Sequence, residues 1–167
     1  NMNSHEHGHE HGHEHGHEHG HEHGHEHDSP IVTVRALSGL SGDMMLTGFA
    51  ALGGISQKAL DALVRDIGCT GLEGSVRLGE KTVNEVTGWT SHITLPHEHA
   101  HRTCNDIHTI IAASNLEARA KQLACATFSL LAEAEGAVHG KTPQAVTFHE
   151  VGALDSIIDI CLVCALY

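Results

Sequence analysis

The stretch FHEVGALDSIIDICLVCAL, residues 148–166, decides the fold. From Ser156 to Leu166 it reads as a helix that is apolar nearly all round, with Ile157, Ile158, Ile160, Leu162, Val163, Ala165 and Leu166 leaving no polar face. A helix of that kind is buried by other elements, so the rest of the chain must supply layers that enclose it. Asp155 and Asp159 stand out against this background. Four residues apart on a helix, their carboxylates point the same way and repel. A carboxylate inside an apolar helix needs a partner, which a cation or a basic substrate group would supply. Asp155 has a second use as a cap beside Ser156; Asp159 has none. Together with His149 and Glu150 just ahead, the pair is the strongest local signal of a functional site. Cys161 and Cys164 have dithiol spacing, but in such a helix they read as small hydrophobes.

Working outward, Leu116 to Val138 reads as a long helix carrying Leu123, Phe128, Leu130, Leu131 and Ala134, with Gly140 suited to its C′ position. Asp106 to Ala113 is a shorter helix with Ile107, Ile110 and Ile111 on one side. Ser56 can cap a helix in which Leu60, Leu63, Val64 and Ile67 recur at helical spacing before Gly68 stops it. Ser75 to Leu95 changes to period two, which predicts antiparallel strands. Ile31 to Leu37 predicts a strand, residues 38–43 a turn, Met44 to Leu52 a short helix, and Ala145 to Val151 an extended piece. Strands and helices mix without a regular βαβ repeat, so the predicted fold class is α+β, mixed α/β layers. The last helix runs to Tyr167, which predicts a domain over 29–167 truncated at its C-terminal end.

Residues 1–28 form a separate segment. His5, His7, His9, His11, His13, His15, His17, His19, His21, His23, His25 and His27 alternate with Glu or Gly, and the segment holds seven of the 21 acids and no Lys or Arg. Low-complexity sequence of this kind builds no core and predicts a disordered tail. Neutral imidazole suits nickel, copper and zinc, so the tail offers many interchangeable metal sites, a reservoir or delivery arm. An engineered affinity tag is the competing origin. The remaining residues carry fourteen acids against nine bases. That mild acidity leaves no basic stripe to neutralise phosphates and argues against nucleic-acid binding. No apolar stretch is long enough to span a bilayer. With no export signal after Met2 and five irregularly spaced cysteines, a disulfide framework is not expected, and the sequence predicts a cytoplasmic protein.

Two further patterns carry chemistry. Ser38, Gly39, Ser41, Gly42 and Asp43 lie in a turn between a predicted strand and a predicted helix. Helix-start N–H groups there can hold an anion, the glycines letting a ligand approach closely, or Ser41 and Asp43 can simply cap the helix. His97, His99 and His101 alternate, so an extended loop puts them on one side, with His108 a turn further on; they can share a metal or form a solvated loop. Residues 136–142 imitate a phosphate loop, but they have three residues between the glycines instead of four and follow a helix instead of a strand.

SGLSGDMML (38–46), His101-Arg102 leading into Asp106-Ile107, AEAE with His139-Gly140, and FHEVGALDSIIDI (148–160) resemble the nickel-insertion proteins of lactate racemase maturation, the LarC family. The resemblance covers residues 31–166. It implies insertion of nickel into pyridinium-3,5-bisthiocarboxylic acid mononucleotide, forming one Ni–C and two Ni–S bonds of a nickel-pincer cofactor. It also implies a CTP-dependent reaction with magnesium or manganese, and lactate racemase or another nickel-pincer enzyme as recipient. The family chain is more than twice as long, so the nucleotide part is expected in a C-terminal domain missing here, and this chain alone is not expected to run the full reaction. On this reading the 38–43 turn receives the precursor phosphate. His101, His149 and Glu150 pass the metal or take the released proton, and Asp155 and Asp159 hold a cation or orient His149. A reading of a different class is a nickel or zinc storage and delivery chaperone without chemistry.

Overall fold

The computed structural model describes residues 31–167 apart from 38, 70, 73, 97–100 and 149–151. His5 to His27, Ser38, His97, His99, His149 and Glu150 therefore lie outside the described residues. The chain divides into two units, Asn1–Arg35 and Ala36–Tyr167. Of the first, residues 31–35 are described; they carry no regular secondary structure and are exposed.

The strand expected over residues 31–37 does not form; Leu37 makes only an isolated bridge to Gly39. Strand propensity records the fit of a side chain to a pleated, half-buried surface and not an intrinsic backbone state. Ile31 is 91% exposed, and Val32 and Val34 are at least half exposed, so no such surface receives them.

The second unit contains helices α1 (Gly42–Leu52), α2 (Gln57–Ile67), α3 (Cys104–Ala113), α4 (Ala118–His139) and α5 (Leu154–Leu166). Its strands are β1 (Val76–Val83), β2 (Val86–Ile93), β3 (Arg102–Thr103) and β4 (Thr147–Phe148). β1 and β2 form an antiparallel ribbon, and β3 and β4 a short antiparallel pair. This is the α+β class that the sequence predicts. α5 sits at the centre, packed against α1, α2 and α4. Its Ile157, Ile158, Cys161 and Leu162 are fully buried together with Leu46, Leu60, Val64, Ile107, Ile111 and Phe128. Phe128 of α4 meets Phe148 edge-on, with centroids 6.2 Å apart, a favoured aromatic geometry.

Local chemistry sets the element ends. The Ser56 hydroxyl accepts the Ala59 N–H at 3.2 Å and starts α2, while Gly68 ends it in the left-handed region at φ 79°. Ser56→Ala is expected to cost about 1 kcal/mol, read as a lower urea midpoint with an unchanged slope. α3 begins at Cys104, two residues before the predicted start, because Thr103 and Asp106 form a reciprocal capping box. The Gln57 side chain fastens the ribbon to α2, beside an ion pair of Arg77 with Asp61 at 3.7 Å. Gln57 Nε2 donates to Val76 O at 2.9 Å and Gln57 Oε1 accepts from Leu78 N at 3.2 Å, so the amide pairs with β1 as a neighbouring strand would.

Candidate functional site

The candidate site lies where the start of α1 meets α5. Ser41 is the N-cap of α1, yet its hydroxyl makes no cap hydrogen bond; it donates to the Asp43 carboxylate. The helix-start N–H groups therefore receive no side-chain cap from Ser41, as an anion-binding turn requires. Gly39 sits at φ 97° with nothing within 4 Å of a Cβ placed there, so its turn needs glycine.

At Gly42 the space that a side chain would need is taken up by α5. A Cβ on it would lie 2.9 Å from Asp159 Oδ2 and 3.1 Å from Asp159 Cβ. Glycine here lets α1 close onto α5 and brings the first turn against the Asp159 carboxylate. Asp159 Oδ1 is buried and has no hydrogen-bond partner among the described residues. Burial pushes the Asp159 carboxyl up to about 6, and the charges of Asp43 and Asp155 push it the same way. Asp155 is exposed and accepts the Ser156 N–H at 2.8 Å. The charges of two carboxylates, one from each helix, thus act on Asp159 without a described cation between them.

Of the other candidates, His101 is exposed and lies next to β3. β3 pairs with β4 through Arg102↔Phe148, and Arg102 Nη1 donates to Gly152 O at 2.8 Å. Both described flanks of residues 149–151 are therefore held against Arg102. Among the described residues, no group of three or more His, Cys, Asp or Glu is arranged to hold a metal ion. His108 Nε2 lies 3.0 Å from Cys125 O and 3.5 Å from Cys104 Sγ, while His97 and His99 of the expected histidine set lie outside the described residues. Cys161 is fully buried, and burial pushes its thiol up to about 12, which fits an inert core residue.

Sequence reasoning missed a cleft of about 400 Å³ beside this junction, lined by Asp43, Met44, Thr47, Gly48 and Ala51 of α1 and Trp89, Thr90 and Ser91 of β2. Two signals were available: the one tryptophan of the chain and a glycine inside a helix, where it is disfavoured.

No helix among the described residues is long and apolar enough to cross a membrane. The family profile described as nickel insertion protein matches residues 32–167. The chain is 38% identical over 133 residues to the pyridinium-3,5-bisthiocarboxylic acid mononucleotide nickel insertion protein of Akkermansia muciniphila, covering 74% of this chain and 32% of that protein. It is 36% identical over 130 residues to the protein of the same name from Nocardioides sp., covering 76% of this chain and 32% of that protein. The chain spans about a third of the length of the curated relatives it matches. No solved structure matches it. Since the matched span takes in both the α1 turn and the α5 carboxylates, the chain belongs to the nickel insertion protein family.

Proposed function

We propose that this chain is the metal-delivery and precursor-holding part of a nickel chelatase that inserts nickel into pyridinium-3,5-bisthiocarboxylic acid mononucleotide. The observation that carries the reading is Asp159, whose buried oxygen has no hydrogen-bond partner among the described residues and whose carboxyl feels the charge of two further acids. Such a group is costly unless a cation compensates it, and Ni²⁺, here the cargo, is that cation. Asp43 and Asp155 share the charge, and His149 and Glu150 complete the ligand set. His101 passes the metal or takes the proton that leaves the ring carbon when the Ni–C bond forms. The precursor phosphate is received at the uncapped start of α1, with Ser38, Gly39 and Ser41. CTP and magnesium or manganese belong to the two thirds of the relatives' length that this chain does not span, and the finished cofactor passes to lactate racemase or another nickel-pincer enzyme.

The histidine repeat favours a second reading, storage and delivery of nickel or zinc without chemistry. Deleting residues 1–28 separates the two. Every buried hydrophobic residue described lies between Leu46 and Leu162, so the deletion is expected to leave the melting temperature unchanged while removing most of the bound nickel. One nickel per chain is expected to remain with higher affinity than zinc. Loss of all tight nickel binding would sink the chelatase reading and leave storage.

A further inference from the structure

The inward face of the β1–β2 ribbon has an uncovered end. Residues directly opposite in an antiparallel pair share a face, so Val76↔Ile93, Leu78↔Ser91 and Glu80↔Trp89 lie on one side. Val76 is fully buried, and Leu78 and Ile93 pack against the core, which makes this the inward side. Trp89 is further out on the same side, is 53% exposed, and forms one wall of the 400 Å³ cleft. The volume lies in the range of small-molecule sites, about 300–1,000 Å³. Across it stands α1 with Asp43, Thr47 and Gly48.

Gly48 is the second observation. It lies inside α1, where glycine is the poorest helix former after proline. Its φ is not in the left-handed region, and a Cβ there would meet nothing within 4 Å. Neither backbone conformation nor packing calls for glycine at 48, which borders the cleft.

We infer that this cleft is a site for a cationic aromatic ring, and specifically for the pyridinium ring of a mononucleotide, with Trp89 as its stacking face, Asp43 as its counter-charge and Gly48 as its clearance. The inference rests on the nickel-insertion reading above and extends it to a residue set of its own. An indole face attracts a cation through its negative quadrupole and stacks on a flat ring at the same time. Asp43 also acts on Asp159, so the ring and the carboxylate cluster share one acid and lie side by side. A neutral aromatic ligand gains only the stacking from this pairing of tryptophan and carboxylate, and an aliphatic one gains neither.

Trp89 is the single tryptophan, so its fluorescence reports the site directly in the full chain. Nickel-free protein is titrated with pyridinium-3,5-bisthiocarboxylic acid mononucleotide and followed by calorimetry and by fluorescence. Quenching is expected with the same midpoint as the heat. Trp89→Ala is expected to weaken binding at least tenfold and Trp89→Phe to recover most of it. Gly48→Leu is expected to weaken binding similarly while the melting temperature stays equal or rises. Wild-type binding that is unchanged in Trp89→Ala and Gly48→Leu would overturn the ring site and leave the nickel-insertion reading standing. Absence of precursor binding to the wild-type chain would overturn both the ring site and the precursor-holding part of that reading.

Discussion

Asp159→Asn is expected to raise the melting temperature of the metal-free protein at pH 7 and to weaken nickel binding by residues 29–167 at least tenfold. The two effects have one cause. The Asp159 carboxyl titrates at about 6 in the folded chain against an ordinary 3.8. Between those values the folded state holds more protons than the unfolded state, so stability falls as pH rises through that window. Its contribution is fully present below about pH 4 and lost above about pH 6. A shift of this size would correspond to about 3 kcal/mol if it were fully desolvated, and partial exposure reduces it to roughly 1–2 kcal/mol. The asparagine variant keeps the shape and removes the charge, so its advantage is greatest at pH 7 and vanishes near pH 4. Thermal melts of both proteins at pH 4, 5, 6 and 7 check this. Equal melting temperatures at every pH would mean that Asp159 has a cationic partner in the fold and is not held for a metal.

Gly42→Val is expected to cost about 2–3 kcal/mol and to abolish nickel binding by the same residues. A Cβ at 42 meets Asp159 Oδ2 at 2.9 Å and Asp159 Cβ at 3.1 Å. The carboxylate end can swing aside, but the Cβ is fixed by α5, so the start of α1 must move away from α5. Gly42→Ala is expected to show a smaller loss in the same direction. Urea unfolding and nickel calorimetry on both variants measure the two effects. Undiminished stability in Gly42→Ala would show that the helices are not locked at this contact and would return Gly42 to the role of ligand clearance.

Much of this arrangement could be read in the sequence because it is local. The all-round apolar pattern of residues 156–166 predicts a central helix, and α5 is central. The 3.6-residue spacing of Leu60, Val64 and Ile67 gives α2, and Ser56 and Gly68 mark its ends. Period two over residues 75–95 gives the ribbon, although its turn sits at Asn84 and Glu85, both with positive φ, where asparagine is at home and glutamate is not. What could not be read is tertiary. Residues 31–37 have strand propensity but no surface to receive them. The meeting of Gly42 with Asp159 joins elements at opposite ends of the domain, and no local pattern encodes it. Asp159 was conspicuous as an unpaired acid, but the company of Asp43 follows only from the packing of α1 on α5. The side of the ribbon that Trp89 occupies follows only from the strand register.

The most direct test of the central claim, that the α1–α5 carboxylates hold the nickel to be inserted, is calorimetric nickel binding by the chain lacking residues 1–28 between pH 5 and 7.5. A proton must leave Asp159 before a cation takes its place. The affinity is therefore expected to rise roughly tenfold per pH unit below about pH 6 and to level off above it, with that component absent in Asp159→Asn. An affinity that is the same in both proteins across the whole range would contradict the account.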